Sequence, residues 1–292
     1  MRNRTFRWIS SLEQSNSEAL KKLDEELTTY YSAEASRTDY NKMLDGAPSL
    51  ENPDVISSAF VEWFDKSACV DVLEIGCGNG RLRGHLQHAK KNFNYTGIEL
   101  SEETTQSNRK RWPNNRWECG SAYDPPFPRA SFDLCFSFYV IEHLVYPVKA
   151  LEAMMSVVKP GGFILLTFPD FVSNNILPSQ HLGIKSGPSA LNKLKSLHVL
   201  DAVVSLYDSR IRLRKALKKI QESPGRFVVN TNPACLHLPA GTDWAADMDA
   251  VYIASKKEIE SWAVENKLQV FYPAGTSGFF SLHSLMVLQK SK

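Results

Sequence analysis

Residues 72–80 read VLEIGCGNG, and this stretch decides the fold. A short apolar strand is expected over 70–75. Gly76, Gly78 and Gly80 then alternate through a turn, and a helix is expected near 82–89. Glycines here let the backbone turn tightly and approach a ligand closely. Working outward, strands are expected at 95–98, 116–119, 132–138 and 163–168. Helices are expected between them at 102–111 and 148–158, the second ended by Lys159-Pro160-Gly161-Gly162. Repeated β-α units of this length imply a parallel sheet with helices on both faces. A helix at 256–265 and strands at 269–272 and 279–288 read as the end of the same sheet. Upstream, Leu12, Leu20, Leu23 and Leu27 give a helix over 11–30, and Val55, Ile56, Ala59, Phe60 and Phe64 a shorter one over 54–65.

The loop carries chemistry as well as a turn. Glu74 stands just before the glycines. Glu99 ends the next strand, 19 residues after Gly80, where a ribose diol would be held. The third strand ends in Gly120-Ser121-Ala122, where an adenine-binding residue is expected. A dinucleotide loop normally offers its helix N-terminus to pyrophosphate. A carboxylate beside the loop repels pyrophosphate and suits the ammonium of an amino-acid cofactor. That chemistry points to S-adenosylmethionine rather than NAD; the plainer reading is a strand–helix turn and nothing more.

The motifs in order resemble those of class I S-adenosylmethionine-dependent methyltransferases. VLEIGCGNG is similar to their first motif, YTGIELS (95–101) to the second and ECGSAYDPPFPRASFD (118–133) to the third. FSFYVIEHL (136–144) resembles the fourth and VVKPGGFILLTFP (157–169) the fifth. The resemblance covers residues 68–170 and returns weakly at 249–292. It implies that Glu74, Gly76 and Gly78 hold the methionine end, with Cys77 and Gly80 in the same loop. It further implies that Glu99 binds the ribose with Leu100 beside it, that Ser121 and Ala122 face the adenine, and that Phe138 lines the pocket. Many relatives have Asp where this chain has Ser121; a serine still accepts a hydrogen bond. The implied fold is α/β: a Rossmann-like, seven-stranded, mostly parallel sheet whose last strand is antiparallel. An N-terminal helical cap (1–66), a core (67–172 with 249–292) and an inserted helical lid (173–248) complete the expected organisation.

Two further motifs need weighing. Asp124-Pro-Pro-Phe127 matches the letters of a nucleic-acid adenine methyltransferase motif, but it precedes the fourth strand rather than ending it, so the match is a coincidence. Glu142-His143 follows the fourth strand, at the edge of the sheet where open α/β folds bind ligands. Quinone-biosynthesis O-methyltransferases have a similar pair. His143 can take a proton from an acceptor hydroxyl, or it can merely orient a loop or pack on the cofactor. Tyr139 and Tyr146 can shape the pocket or serve as ordinary core aromatics.

The rest of the chain narrows the setting. A net charge of +2 over 292 residues argues for neither a nucleic-acid nor a membrane partner. No signal peptide and no membrane span are expected, which fits a cytoplasmic protein. Cys69, Cys77, Cys119, Cys135 and Cys235 are odd in number and lack a C-x-x-C pair, so neither a disulfide framework nor a metal site is expected. Residues 185–226 hold ten Lys or Arg against three Asp or Glu. Leu191, Leu194, Leu197, Leu200, Val204, Tyr207, Ile211, Leu217 and Ile220 give that stretch an apolar stripe, and Arg210, Arg212, Arg214, Lys215, Lys218 and Lys219 crowd its far end. It reads as a lid that attracts an anionic acceptor, or as a solvated helix face. His237, Asp243 and Trp244 are candidate acceptor contacts; His181, His198 and His283 have no partner spacing and receive no role. The expected reaction is methyl transfer to a hydroxyl of a sugar or secondary metabolite. The alternatives are N-methylation of a small amine and a non-catalytic cofactor-binding subunit.

Overall fold

The computed structural model describes residues 9–12, 15–32, 53–174, 190–212, 214–215, 218, 222, 227–236 and 247–292. In chain order its strands are β1 Ile9–Ser11, β2 Asp71–Ile75, β3 Asn94–Glu99, β4 Arg116–Cys119, β5 Phe132–Phe138, β6 Val158–Pro169, β7 Val228–Asn230, β8 Gln269–Phe271 and β9 His283–Gln289. Its helices are α1 Ser17–Ser32, α2 Val55–Lys66, α3 Arg81–Leu86, α4 Glu102–Arg111, α5 Pro147–Val157, α6 Ala190–Lys195, α7 Val199–Tyr207, α8 Lys256–Glu265 and α9 Phe279–Leu282.

Seven strands form one sheet in the order β4-β3-β2-β5-β6-β9-β8. The pairs β2·β3, β2·β5, β3·β4 and β5·β6 are parallel; β9 runs antiparallel to both β6 and β8. This is the Rossmann-like arrangement, with β9 the reversed strand. Strand order turns outward in both directions from the β2·β5 pair, so the carboxyl ends of β2 and β5 open a crevice between diverging connections.

Alternation along each strand sends side chains to two separate cores. Leu73, Ile75, Cys135, Ile164, Leu166, Met286 and Leu288 face Leu151, Met154 and Val157 of α5 and Ile259, Trp262 and Ala263 of α8. Val72, Leu134, Phe136, Leu165, Leu285 and Val287 face Ile56, Phe60 and Phe64 of α2 and Leu82 and Leu86 of α3. With both faces covered, the strands can be apolar at every position, which is why they read as continuous apolar runs. Asp54 starts α2 by accepting from the Ser57 amide, and Ser101 starts α4 by accepting from the Thr104 amide.

Several elements differ from the sequence-based expectation. Helix α5 ends at Val157, next to Lys159-Pro160-Gly161-Gly162 as expected, but β6 starts at Val158 rather than 163 and takes this stretch into the strand. Here Lys159 joins a charge cluster, its Nζ 2.8 Å from Asp71 and 2.9 Å from Asp133. The last expected strand splits into α9 and β9. A second, two-stranded sheet joins β1 to β7, antiparallel, with Ile9 opposite Asn230. Of the expected apolar stripe in the insertion, Leu197 is 87% and Leu200 82% exposed, so these two side chains meet solvent rather than the core. Leu217, Lys219 and Ile220, with His181, His237, Asp243 and Trp244, lie outside the described residues.

Helix α1 supplies the third apolar cluster. Leu20, Leu23 and Leu27 bury one face of it against Val145, Val229 and Val251. Each such burial contributes about 1.5–3 kcal/mol. The Tyr123 hydroxyl adds a polar tie: it donates to Asp24 of α1 at 2.9 Å and accepts from the Val145 amide at 3.0 Å. Helix α1 therefore sits as a roof over the carboxyl end of the sheet.

Candidate functional site

A cavity opens beneath that roof. Gly76, Gly78, Glu99, Leu100, Ser121 and Ala122 line one side, and His143 and Asp249 the other. Asp24, Leu27, Thr28, Tyr30 and Tyr31 of α1 line it from the roof, and Tyr123 and Tyr139 also belong to the lining.

The glycine loop has the backbone its sequence calls for. Gly76 has φ +68°, and a Cβ there would come within 2.6 Å of Val140 Cγ2. Gly78 has φ +50°. Both values lie in the left-handed region that glycine adopts without strain. Gly80 lies outside the lining and starts α3 with φ +77°, where a Cβ would meet the Trp112 ring. The loop is pinned from the neighbouring strand, since the Gly76 and Cys77 amides both donate to the Ile98 carbonyl, at 2.9 and 3.0 Å.

Glu99 is the hub of the glycine-loop side. Its Oε2 accepts from the Gly78 amide at 2.9 Å, and its Oε1 accepts from the Leu100 amide at 2.8 Å and the Ser101 amide at 3.3 Å. Burial raises this carboxyl, while the three amides oppose that rise. One carboxylate thus links the ends of β2 and β3 and still borders the cavity.

Glu74 is placed differently. It is buried and outside the lining, and its Oε2 accepts from the Tyr95 hydroxyl at 2.5 Å. Burial pushes it up to about 8, against the opposing pull of the Tyr95 hydrogen bond. Cys77 and Phe138 are buried too; the Phe138 ring packs edge-on to Phe60 at 5.0 Å, in the core beneath the cavity. The structure therefore gathers Gly76, Gly78, Glu99, Leu100, Ser121, Ala122 and His143 at one cavity and sets Glu74, Cys77, Gly80 and Phe138 behind them. Asp124 of the Asp-Pro-Pro-Phe stretch is exposed and outside the lining, and Phe127 of that stretch packs against Phe132. Tyr139 lines the cavity with φ +56°, an uncommon conformation for a residue other than glycine, and its hydroxyl lies 3.2 Å from His283 Nδ1. Tyr146 packs against Tyr123 instead.

On the opposite side, a short 3-10 turn over Ile141–His143 follows β5, and His143 lines the cavity. The Glu142 carbonyl accepts from the Val251 and Tyr252 amides at 2.8 and 2.9 Å, which brings Asp249 to His143. His143 Nδ1 lies 3.4 Å from Asp249 Oδ1, and His143 Nε2 lies 3.9 Å from Glu142 Oε1. Burial pulls the imidazole down; the carboxylates of Asp249, Glu142 and Asp247 outweigh it, so His143 sits above its ordinary value. Glu142 is pushed up to about 8, first by burial, with the nearby His143 opposing. The Tyr31 hydroxyl donates to Asp249 Oδ2 at 2.9 Å.

Asp249 and Tyr31 were not singled out from the sequence. Asp249 belongs to no motif and stands 106 residues from His143, and Tyr31 lies in the last turn of α1, whose leucine spacing says nothing of what the helix covers. No group of His, Cys, Asp and Glu suited to a metal ion occurs among the described residues. No described helix is long and apolar enough to cross a membrane.

Comparison with known proteins gives a consistent family. Residues 73–166 match the family described as a methyltransferase domain. The chain is 26% identical over 140 residues to an uncharacterized methyltransferase of Schizosaccharomyces pombe, covering 44% of this chain and 50% of that one. It is 31% identical over 103 residues to a probable S-adenosylmethionine-dependent methyltransferase of Mycolicibacterium smegmatis, covering 35% and 39%. It is 26% identical over 180 residues to a ubiquinone biosynthesis O-methyltransferase of Hydrogenovibrio crunogenus, covering 60% and 71%. The chain thus spans half or less of the first two relatives. A solved structure from Pyrococcus horikoshii aligns with a TM-score of 0.48 and 15% identity, over 89% of this chain and 95% of that one.

Proposed function

We propose, from the premise that this chain carries a class I S-adenosylmethionine-dependent methyltransferase domain, that it transfers a methyl group to a hydroxyl of a small molecule, with His143 as the base. The carrying observation is that His143 and Glu99 line the same cavity, which supports reading them as base and ribose-binding carboxylate.

The residues present fit the cofactor. A Cβ at Gly76 would meet Val140, and Gly78 takes a φ of +50° that favours glycine, so the loop keeps a backbone that a ligand can approach closely. Glu99 offers a half-buried carboxylate to the ribose hydroxyls, and the Ser121 hydroxyl offers a hydrogen bond to the adenine. Leu100 and Ala122 supply apolar contact. Glu74 supports the loop from behind, through Tyr95. S-adenosylmethionine, when bound, supplies a methyl group on a sulfonium that is already a good leaving group. What remains for the protein is to align the acceptor, exclude water and take a proton. Tyr30 and Tyr31 close the space from above, and His143 accepts the acceptor's proton, a contribution of roughly 10² to 10⁴ in rate.

In this reading, residues 1–66 form a cap, 67–172 with 249–292 the catalytic core, and 173–248 an inserted lid, in a cytoplasmic protein. The lining carries carboxylates and, among the described residues, neither Lys nor Arg, which favours a neutral or cationic acceptor over an anionic one. The same carboxylates support a second reading, N-methylation of a small amine.

One experiment separates the two. The protein is incubated with radiolabelled S-adenosylmethionine and fractionated cell extract, and the labelled product is followed for parent and His143→Ala. A fall of roughly 10²-fold or more in transfer, with S-adenosylhomocysteine binding unchanged, supports a hydroxyl acceptor. Indifference to the substitution supports an amine, which can lose its proton to water. Failure of the parent to bind S-adenosylhomocysteine refutes the assignment as a methyltransferase.

A further inference from the structure

Two buried polar atoms at the acceptor end of the cavity face each other without a hydrogen bond. Asp249 Oδ1 and His143 Nδ1 are both buried and unpartnered, 3.4 Å apart. One is an acceptor and the other a nitrogen that can carry a proton. Leaving both unsatisfied costs far more than a small rotation of the ring. Catalytic hydrogen bonds are often long before the ligand arrives and tighten when it does.

We propose that Asp249 is a positioning residue for His143: it holds the proton on Nδ1, so that Nε2 is the nitrogen presented to the acceptor, and Tyr31 fixes Asp249 in that task. The proposal rests on the reading of His143 as the base.

Three observations single out Asp249 from the other acids around the ring. Its side chain is only 3% exposed and lines the cavity beside His143. Its second oxygen is already committed, to the Tyr31 hydroxyl at 2.9 Å, so the carboxylate cannot turn away without breaking that bond. The two amide bonds from Val251 and Tyr252 to the Glu142 carbonyl fix its segment to the turn that carries His143. Glu142 is next in sequence to His143 and lies farther off, at 3.9 Å on the Nε2 side; its Oε2 has no partner. Asp247 adds its charge to the ring's surroundings, and the Tyr31 ring stands edge-on to the imidazole at 6.1 Å between centroids. Cys235 lies beyond, near Asp249 and Tyr31.

The proton balance is simple. The acceptor hydroxyl gives its proton to Nε2, while Nδ1 keeps its own and shares it with Asp249. The imidazolium so formed is balanced by that carboxylate and returns its proton to water afterwards. Tyr31 belongs to the roof, so the base is fully oriented only when α1 is seated.

The acceptor need not be known to test this. Histidine labelled with ¹⁵N is introduced into the parent protein, and ring resonances are recorded across pH, free and with S-adenosylhomocysteine. The His143 signals are identified by their absence from His143→Gln. The expected spectrum has Nδ1 protonated and Nε2 bare. Its midpoint lies above that of free histidine and falls by about one pH unit or more in Asp249→Asn. Asp249→Glu, which restores a carboxylate, recovers part of that fall and serves if Asp249→Asn does not fold. Tyr31→Phe keeps the carboxylate but loosens it, so the two tautomers mix. An Nε2-protonated ring in the parent overturns the proposal, as does an unchanged midpoint in Asp249→Asn. The tautomer is read in the free protein as well. A parent that does not bind S-adenosylhomocysteine therefore counts against the methyltransferase reading, while the spectrum still decides the Asp249–His143 pair.

Discussion

Replacing Glu99 by glutamine asks whether this carboxylate serves only the loop or also a ligand. In the parent, one oxygen accepts from the Gly78 amide at 2.9 Å, and the other from the Leu100 and Ser101 amides at 2.8 and 3.3 Å. A glutamine keeps one acceptor oxygen. Turned toward Leu100 and Ser101 it preserves two bonds, and its amide nitrogen then confronts the Gly78 N–H, donor against donor. One charge-assisted hydrogen bond is lost, about 1.5–3 kcal/mol. At about 2–3 °C per kcal/mol, the melting temperature falls by roughly 3–9 °C. If ribose hydroxyls also donate to this carboxylate, binding loses a second bond of the same kind. The dissociation constant for S-adenosylhomocysteine then rises by about 10- to 150-fold. Calorimetric titration and thermal melts on the same preparations read both effects. A lowered melting temperature with a dissociation constant within twofold of the parent refutes the ribose role and leaves Glu99 as a support for the loop.

Two other outcomes follow from buried groups. The Glu142 carboxyl sits at about 8 in the folded protein, against 4.5 for an ordinary glutamate, so the folded state holds a proton that the unfolded state releases between those values. Stability therefore falls as pH rises through that window. Urea midpoints measured from pH 5 to 9 fall less steeply in Glu142→Gln, and an unchanged slope contradicts the assignment. Leu23 is 4% exposed on the buried face of α1, so Leu23→Ala leaves a cavity worth about 2–4 kcal/mol between roof and core. Hydrogen exchange is expected to quicken across residues 17–32 while the central strands keep their protection. Equal loss of protection in both shows that roof and core open together.

The fold was legible where apolar runs and glycines act locally. Residues 72–80 specify a strand, a left-handed turn and a helix start by their own backbone needs, and Gly76 and Gly80 would each drive a Cβ into a neighbour. Glu99 was legible for the same reason, because the end of a strand fixes its distance from the loop. Glu74 shows the limit: its position beside the glycines is local, but the direction of its carboxylate is set by Tyr95 on the next strand. Asp249 and Tyr31 reach His143 through the Val251 and Tyr252 amides and through leucine packing, neither of which leaves a periodicity to read. The pairing of β1 with β7 joins two three-residue strands, too short for any alternation to announce them.

That short pairing sets an order of assembly. Ile9 and Asn230 are opposite each other across some 220 residues of chain. At a synthesis rate of about 5–20 residues per second, the first strand waits roughly 10–45 s for its partner. The strands from β2 to β5 need no such wait, since they pair with neighbours close in sequence. The glycine loop and its supporting carboxylate can therefore be in place while residues 9–32 are still unpaired. Closing so long a loop is among the slowest contacts a chain makes. The nascent protein passes through a stage with a shaped glycine-loop cleft and no roof, and brings Tyr31 to Asp249 last.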